Sequence, residues 1–308
     1  MATSARSRSG KKKDDKPPPA VGPGSKISSL PAEIRRHIIR KQEGKKGVEL
    51  RWSTTSIKAL PKELMLNEEV TDNAKMLEAP NNRIKKLPGT VSVMTGLEMI
   101  DLRNNQLSMI PGTLAKLKEL KEIDVSGNTL KKLPATMHKA NNLVELKAAN
   151  NKLKTVPPKL TTAPNLISLD VSNNIIKSLK KNIYKMPLSL NVSHNRLKDL
   201  PAVAIKNPAI HSINASHNML EKLPAGLENL LCLTWLDLSH NELDELPPQI
   251  GLMKYLHYLN LSYNHLKILP DDICNLQFSL SELGLGSNAL EMLPDKFVQF
   301  KKLKVCGI

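Results

Sequence analysis

The stretch LDLSHNELDELPPQI, residues 236–250, decides the fold of this chain. Its leucines are spaced by two, five and three residues, Asn241 lies among them, and a Leu246-Pro247 pair comes near its end. These gaps fit neither the alternation of a half-buried strand nor the spacing of an amphipathic helix. They are explained instead by repetition, because the same unit recurs along most of the chain.

The repeat is marked by one asparagine in each unit. Neighbouring asparagines are 23 residues apart in most units, 21 apart once and 24 apart once. The ten positions are Asn82, Asn105, Asn128, Asn151, Asn174, Asn195, Asn218, Asn241, Asn264 and Asn288. A fixed period of this length indicates a solenoid, in which each unit forms one turn and stacks on the next.

Each turn is predicted to add one short strand to a parallel sheet on the concave side of a right-handed horseshoe, an α/β fold. In the quoted unit the strand lies near residues 235–238, and Leu236, Leu238 and Leu243 point into the core. One turn cannot bury these side chains alone, so stability depends on contacts between neighbouring turns. Asn241 follows the strand where the chain bends, and we expect its amide to bond the backbone of that bend.

The unit L-x-x-L-x-L-x-x-N-x-L resembles the leucine-rich repeat. The closing L-P pair resembles that of the Ras-group, LPxxI-type leucine-rich repeat proteins, which include plant intracellular Ras-group-related proteins and animal Shoc-type scaffolds of the Ras pathway. The resemblance covers residues 74–302 and, more loosely, 31–73. It implies a signalling scaffold that binds a small GTPase, a phosphatase or a kinase on its concave face. The unit at 166–186 departs from the pattern, since it is two residues short and has Lys180 in place of proline.

Four segments are predicted. Residues 1–29 are rich in Ser, Lys, Pro and Gly and should form a disordered basic tail. Residues 30–73 should cap the solenoid, with a helix from Pro31 to Gly44 followed by a degenerate repeat that has Thr55 in place of asparagine. The apolar stripe of that helix is Ile34, Ile38 and Ile39.

Residues 74–302 hold the ten repeats, and residues 303–308 form a terminal partial repeat. The strand of that partial repeat leaves an edge of unpaired backbone groups. Such an edge is a place for docking of a partner or for self-association.

The sequence predicts a protein of a reducing compartment. The three cysteines are far apart, the N-terminus has no apolar signal-peptide core, and no apolar run is long enough to span a membrane. The cytoplasm is the expected location, with the nucleus as the alternative. No phosphate-binding loop and no cysteine pair with zinc spacing occurs, so neither an enzyme nor a cofactor is predicted.

The formal net charge of +16 is unevenly distributed. Residues 74–209 carry 22 basic and 9 acidic side chains, whereas residues 210–308 carry 7 basic and 11 acidic ones. A basic tail and a row of lysines suggest one function, the binding of RNA or another acidic surface. The residues predicted for it are Lys11, Lys12, Lys13, Lys85, Lys86, Lys131 and Lys132.

The other function is the binding of a folded protein by aromatic residues of the acidic half. The residues predicted for it are Trp235, Tyr258, Tyr263, His217, His240, His257 and Asp237. Leucine packing does not require aromatics at outward strand positions, and exposed aromatics are typical of binding hot spots. Proteins that bind single-stranded nucleic acid place aromatics among basic residues, whereas these aromatics lie where lysines are fewest. An ordinary surface is the remaining interpretation, because SHN and LDLS are common in this type of repeat.

Overall fold

The computed structural model describes residues 26–40, 47–185, 188–203, 209–301 and 303–306. These residues form one sheet of thirteen strands, which follow one another across the sheet in chain order. The first pair is antiparallel, and every later pair is parallel. The arrangement confirms the predicted leucine-rich repeat solenoid with its parallel sheet.

The strands are short because each repeat leaves the sheet soon after its central apolar residue is buried. They are β1 (Ile38–Arg40), β2 (Val48–Arg51), β3 (Ala74–Glu78), β4 (Met99–Asp101), β5 (Glu122–Asp124), β6 (Glu145–Lys147), β7 (Ser168–Asp170), β8 (Leu188–Asn191), β9 (Ile210–Asn214), β10 (Trp235–Asp237), β11 (Tyr258–Asn260), β12 (Glu282–Gly284) and β13 (Lys304–Cys306). The central residues of neighbouring strands lie side by side in register, as Ile213, Leu236 and Leu259 do.

Short helices lie between most successive strands, and two more precede β1. The two α-helices are α1 (Ala32–Arg35) and α2 (Glu68–Asn73). The 3-10 helices are Ile27–Ser29, Lys62–Leu66, Gly89–Val93, Gly112–Lys116, Ala135–Lys139, Pro158–Thr162, Lys181–Lys185, Leu227–Asn229, Pro248–Leu252, Asp271–Phe278 and Asp295–Gln299. None of the helices in the described part of the chain is long and apolar enough to cross a membrane.

The core is one continuous apolar cluster that runs from Ile27 to Leu285. Leu236, Leu238 and Leu243 are buried in it, as predicted for the inward positions of the quoted unit. Burying one leucine side chain fully contributes about 1.5–3 kcal/mol. Because the same positions are filled in every repeat, the driving force for folding is spread along the whole solenoid.

The asparagines of the repeat connect one turn to its neighbours. The amide nitrogen of Asn241 donates to the carbonyls of Leu238 at 2.9 Å and of Ala215, one turn back, at 3.1 Å. Its amide oxygen accepts from the N–H of Leu220 at 3.0 Å. The side chain is buried, so it satisfies backbone groups that water does not reach. This is the role predicted for it.

The degenerate repeat keeps the inward positions of the pattern. Leu50, Trp52 and Leu60 are buried. The hydroxyl of Thr55 donates to the amide oxygen of Asn82 at 3.1 Å. The first turn is therefore joined to the second even without its own asparagine.

The N-terminal cap differs from the helix predicted over 31–44. α1 is only four residues long, and a strand, β1, follows it and pairs antiparallel with β2. Ile34 is buried and Ile38 packs against the core, but Ile39 is 44% exposed, so the predicted helical stripe is wrong. β-branched residues favour a strand, and β1 covers the edge of β2, which a helix would leave unpaired. Gly44 lies outside the described residues.

The prediction of a disordered tail over residues 1–29 is wrong for residues 26–29. Ile27–Ser29 forms a 3-10 turn whose Ile27 side chain is buried. The N–H of Ile27 donates to the carboxylate of Glu69 at 2.7 Å, and the carbonyl of Lys26 accepts from the side chain of Asn67 at 3.0 Å. Residues 26–29 therefore belong to the cap, while residues 1–25 lie outside the described part.

At the C-terminal end β13 pairs with β12 in parallel. Leu303 packs against the core there, as do Phe297 and Phe300, whose ring centroids are 5.1 Å apart. No described strand pairs with the outer edge of β13. Docking or self-association at this edge stays a prediction.

Candidate protein-binding surface

Trp235 and Tyr258 lie side by side on the sheet face that points away from the core, which we call the concave face. Leu236 and Leu259, the central residues of β10 and β11, are buried. Because side chains alternate along a strand, the flanking residues project from the opposite face. Trp235 and Tyr258 are in register, and their rings stack with centroids 4.9 Å apart and planes 8° apart. Both side chains are half-buried, so they form a rigid aromatic surface.

A second aromatic row, which we call the ladder, runs along the ends of the strands. It consists of His194, His217, His240 and Tyr263. Successive ring centroids are 3.9, 3.9 and 4.0 Å apart, and the planes differ by 10–12°. Tyr263 is 54% exposed and stacks on His240. The predicted patch is therefore divided into two rows.

The backbone places the ladder in the turn that precedes each asparagine. Its residues have φ between 51° and 57°, in the left-handed region, which costs energy for residues other than glycine. The N–H of His217 donates to the carbonyl of Ser239 at 2.9 Å, and that of His240 donates to Ser262 at 2.9 Å. These bonds fix the spacing of successive turns, and the rings of neighbouring turns therefore stack. Sequence reasoning treated this position like a strand position and missed the left-handed turn.

Asp237 lies between the two rows. Its Oδ1 atom accepts from the backbone N–H of Ser239 at 2.9 Å and from the Ser239 hydroxyl at 2.7 Å. Burial of the ring, followed by the charges of His194 and His240, lowers the pKa of His217, whereas Asp237 acts to raise it. Asp237 is thus near enough to the ladder for its charge to act there.

His257 does not belong to either row. It precedes Tyr258 in the chain, and its Nδ1 lies 2.7 Å from the carbonyl oxygen of Tyr255. The corresponding residue two turns back, His211, makes the same contact with Ala209 at 2.7 Å. His257 therefore lies at the entry of the strand, whereas the ladder lies at its exit.

The N-terminal half of the concave face carries acids that are matched by bases of the same chain. Arg103 holds Asp101 at 2.8 Å and approaches Asp124 at 3.6 Å. Lys147 pairs with Glu145 at 2.8 Å. Hydrogen bonds to Asp101 raise the pKa of Arg103. These residues line a cavity of about 180 Å³.

Sequence reasoning did not predict this pairing of acids and bases on the concave face. The sequence did contain a signal for the pairing, because Arg103 and Lys147 occupy outward positions beside acidic strand residues. In the C-terminal half such a base occurs only in β13 among the described strands, where Lys304 lies in register with Glu282. The stretches that form β9 to β12 and the turns after them contain neither lysine nor arginine, and they are 210–218, 233–241, 256–264 and 280–288.

Four lysines of the N-terminal half follow the asparagines of their repeats by three or four residues. Lys85, Lys86, Lys131 and Lys132 are all exposed, and we call these four residues the rim. Lys11, Lys12 and Lys13 lie outside the described residues. Among the residues that the structure describes, no group of three or more His, Cys, Asp or Glu side chains could hold a metal ion.

Comparison with known proteins supports the repeat assignment. A family described as Leucine rich repeat matches residues 73–130 and 189–243, and a second with the same description matches residues 255–276. No curated protein matches the chain.

Among solved structures, Toll in the Toll–Spatzle complex of Drosophila is similar over 83% of this chain and 39% of its own, with 21% identity and a TM-score of 0.67. The functional domain of InlJ from Listeria monocytogenes is similar over 83% of this chain and 52% of its own, with 22% identity and a TM-score of 0.66. YopM from Yersinia pestis is similar over 80% of this chain and 73% of its own, with 26% identity and a TM-score of 0.54. This chain spans about half of the InlJ domain and less than half of Toll.

Proposed function

We propose that this chain, a leucine-rich repeat protein, is an interaction scaffold that binds a folded protein on the concave face of its C-terminal half. The binding surface consists of the Trp235 and Tyr258 pair, the ladder residues His217, His240 and Tyr263, and Asp237, with His257 at its border. The partner is a signalling protein of the cytoplasm, and small GTPases, phosphatases and kinases are the candidates that the Ras-group resemblance suggests.

The observation that carries this proposal is the stacked pair of Trp235 and Tyr258 at 4.9 Å. Large rings held rigidly by their neighbours lose little conformational entropy on binding, which favours them as contact residues. The core does not need them, because Leu236 and Leu259 already fill the inward positions of these strands. A rigid aromatic surface beside a charged carboxylate is typical of an interface centre.

The experiment is affinity purification from the native cell with the wild-type protein and with a Trp235→Ala/Tyr258→Ala variant. Truncating hot-spot aromatics typically costs about 2 kcal/mol or more, which corresponds to about a 30-fold loss of affinity. The partner should therefore be captured by the wild type and depleted from the variant. A matched control is Tyr255→Ala/Phe278→Ala, because those two rings are exposed but lie outside the strands. If the Trp235→Ala/Tyr258→Ala variant folds and still captures the same partner in the same amount, the proposal is wrong.

A second candidate function is the binding of a polyanion such as RNA by the rim and by Lys11, Lys12 and Lys13. One observation favours it: no acidic side chain of the described residues forms an ion pair with any of the four rim lysines, which are exposed. Such binding depends on the release of counterions and weakens steeply as salt rises. This dependence separates it from binding through the aromatic surface.

A further inference from the structure

Two equivalent strand acids of the concave face, Asp101 and Asp237, have different neighbours. Asp101 in β4 and Asp237 in β10 occupy the same position of the repeat, immediately after the central apolar residue. Each uses Oδ1 to accept the backbone N–H of the second residue after it, at 3.0 Å in Arg103 and at 2.9 Å in Ser239. The backbone around the two acids is therefore equivalent.

The side chains that meet these acids are not equivalent. The guanidinium of Arg103 binds Asp101 through two nitrogens, with Nε 3.0 Å from Oδ1 and Nη2 2.8 Å from Oδ2. At Asp237 the corresponding residue is Ser239, whose hydroxyl donates to the same Oδ1 atom. Within the described residues no lysine or arginine forms an ion pair with Asp237. The repeat thus contains a carboxylate that binds arginine in one turn and has no cation in another.

The row that contains Trp235 bears small side chains on its β9 side. The rings of Trp235 and Tyr258 are nearly parallel and stack along the sheet, so the other face of Trp235 points toward the strand on its opposite side, β9. The residue in register there is Ser212, and Ser189 follows it in β8. These side chains are small, so the row offers an open slot about one strand spacing wide, roughly 4.8 Å, beside the indole. A planar group that stacks at 3.5–4.0 Å, the usual distance between carbon atoms in contact, fits that width.

We propose that Ser212, Trp235 and Asp237 form a site for an arginine side chain of the partner, whose guanidinium stacks on the indole of Trp235 and donates to the free Oδ2 of Asp237. The inference rests on the proposed function and names the chemistry of the partner at that surface. Arginine meets both demands of the site, because its guanidinium is planar, charged and able to donate several hydrogen bonds in one plane. Glu282 follows Tyr258 in the same row and carries a second negative charge, and Lys304 of β13 lies on its far side from the site.

Two other ligands fit part of the site only. Lysine would pair with Asp237 but has no flat face for the slot. A nucleobase would stack on Trp235, but its phosphates would approach Asp237 and Glu282, and β9 to β12 carry no lysine or arginine to neutralise them.

The experiment is an NMR titration of the tryptophan indole N–H signals in the full-length protein. The chain has two tryptophans, and Trp52 is 2% exposed, so its signal is an internal reference for Trp235. The probe is N-acetyl-arginine amide, and the comparison probes are the amides of N-acetyl-citrulline and N-acetyl-lysine and adenosine monophosphate. We expect the arginine probe to shift the Trp235 signal saturably while the Trp52 signal stays in place. The uncharged citrulline probe should bind at least about tenfold more weakly, because a hydrogen bond to a charged group is worth about 1.5–3 kcal/mol.

Variants test the two parts of the site. Asp237→Asn keeps the acceptor for Ser239 but removes the charge, and it should weaken the arginine probe by about tenfold or more. Ser212→Phe fills the slot and should abolish the shift. Asp170→Asn is the matched control, since Asp170 holds the same position in β7 and accepts the N–H of Ser172 at 2.9 Å; it should bind the probe as the wild type does.

Three results would overturn the inference: equal binding of the arginine and citrulline probes, an Asp237→Asn variant that binds the arginine probe at full strength, or tighter binding of the lysine or nucleotide probe. The outcome is separate from that of the proposed function. If Trp235→Ala/Tyr258→Ala loses the captured partner while Asp237→Asn keeps it at full affinity, the protein-binding surface stands and the arginine site falls.

Discussion

The buried asparagine of each repeat joins three segments of backbone at once. Asn241 donates within its own turn and to the turn before it, and it accepts from the residue that begins the next segment of that earlier turn. An alanine cannot replace any of these bonds. The same side chain in ten repeats therefore makes the spacing of the turns uniform, and that spacing is what brings the aromatic rings of neighbouring repeats into contact.

The first prediction at this scale concerns Asn241→Ala. Each buried polar group left without a partner costs about 1–3 kcal/mol, so this variant should lose roughly 3 kcal/mol or more of its free energy of unfolding. The measurement is urea denaturation followed by circular dichroism. The control is Glu242→Ala, an exposed neighbour, which should stay within about 0.5 kcal/mol of the wild type. Equal losses in the two variants would show that the asparagine bonds add nothing to stability.

A second residue-scale prediction concerns the titration of His217. Burial and the neighbouring imidazoles of His194 and His240 lower its pKa in the folded state. Its pKa in the unfolded chain is about 6.5, so the unfolded chain binds the proton first as the pH falls. His217 therefore contributes stability that is present above about pH 6.5 and is lost as the pH falls through the lower folded value.

NMR titration of the histidine ring protons measures this pKa directly. His194→Asn should raise the pKa of His217, because it removes one stacked imidazole, and asparagine is compatible with a left-handed turn, as Asn173 shows in the preceding repeat. A pKa of His217 at or above 6.5 in the wild type would contradict the account of the ladder.

At the scale of elements, the solenoid needs a cover over its first repeat. β1 supplies a paired edge for β2, and the degenerate repeat places Leu50 and Trp52 against the first full repeat. An open end would expose both apolar side chains and strand edges, which promote association.

Deletion of residues 31–61 should therefore cause aggregation, which size-exclusion chromatography with light scattering would detect. Deletion of residues 1–25 is the control, because it removes none of the residues that the structure describes, and that protein should remain as soluble as the wild type. If the 31–61 deletion stayed monomeric with an unchanged free energy of unfolding, the cap assignment would be wrong.

The sequence predicts the repeated elements well and the ends poorly. The period of 23 residues fixes which leucines are buried and which strand residues share a row, so the pairing of Trp235 with Tyr258 follows from counting. The cap has no period, and Ile34, Ile38 and Ile39 fit both a helical stripe and a helix followed by a strand. The spacing of the repeat does not predict the ladder, because the left-handed turn directs His217 and His240 away from the strand row.

At the scale of the whole molecule, one scaffold presents two kinds of surface. In the N-terminal half Arg103 pairs with Asp101 and Lys147 with Glu145 on the concave face, and the rim carries four exposed lysines. In the C-terminal half Asp237 lies beside stacked aromatic rings, and no lysine or arginine of the described residues pairs with it. A protein partner with a basic contact fits the second surface, and a polyanion fits the rim, so the two proposals assign binding to different ends of the solenoid.

The most direct test of the central claim is the dissociation constant of the complex with the captured partner, measured at about 50 mM and about 200 mM salt. Three proteins are compared: the wild type, Trp235→Ala/Tyr258→Ala, and a rim variant with Lys85, Lys86, Lys131 and Lys132 changed to glutamate. We predict that the aromatic variant binds about 30-fold more weakly at both salt concentrations, and that the rim variant binds as the wild type does. Any one of three results would contradict the account: loss of binding in the rim variant, a fall of about a thousandfold in wild-type affinity between the two salt concentrations, or full-strength binding by the aromatic variant.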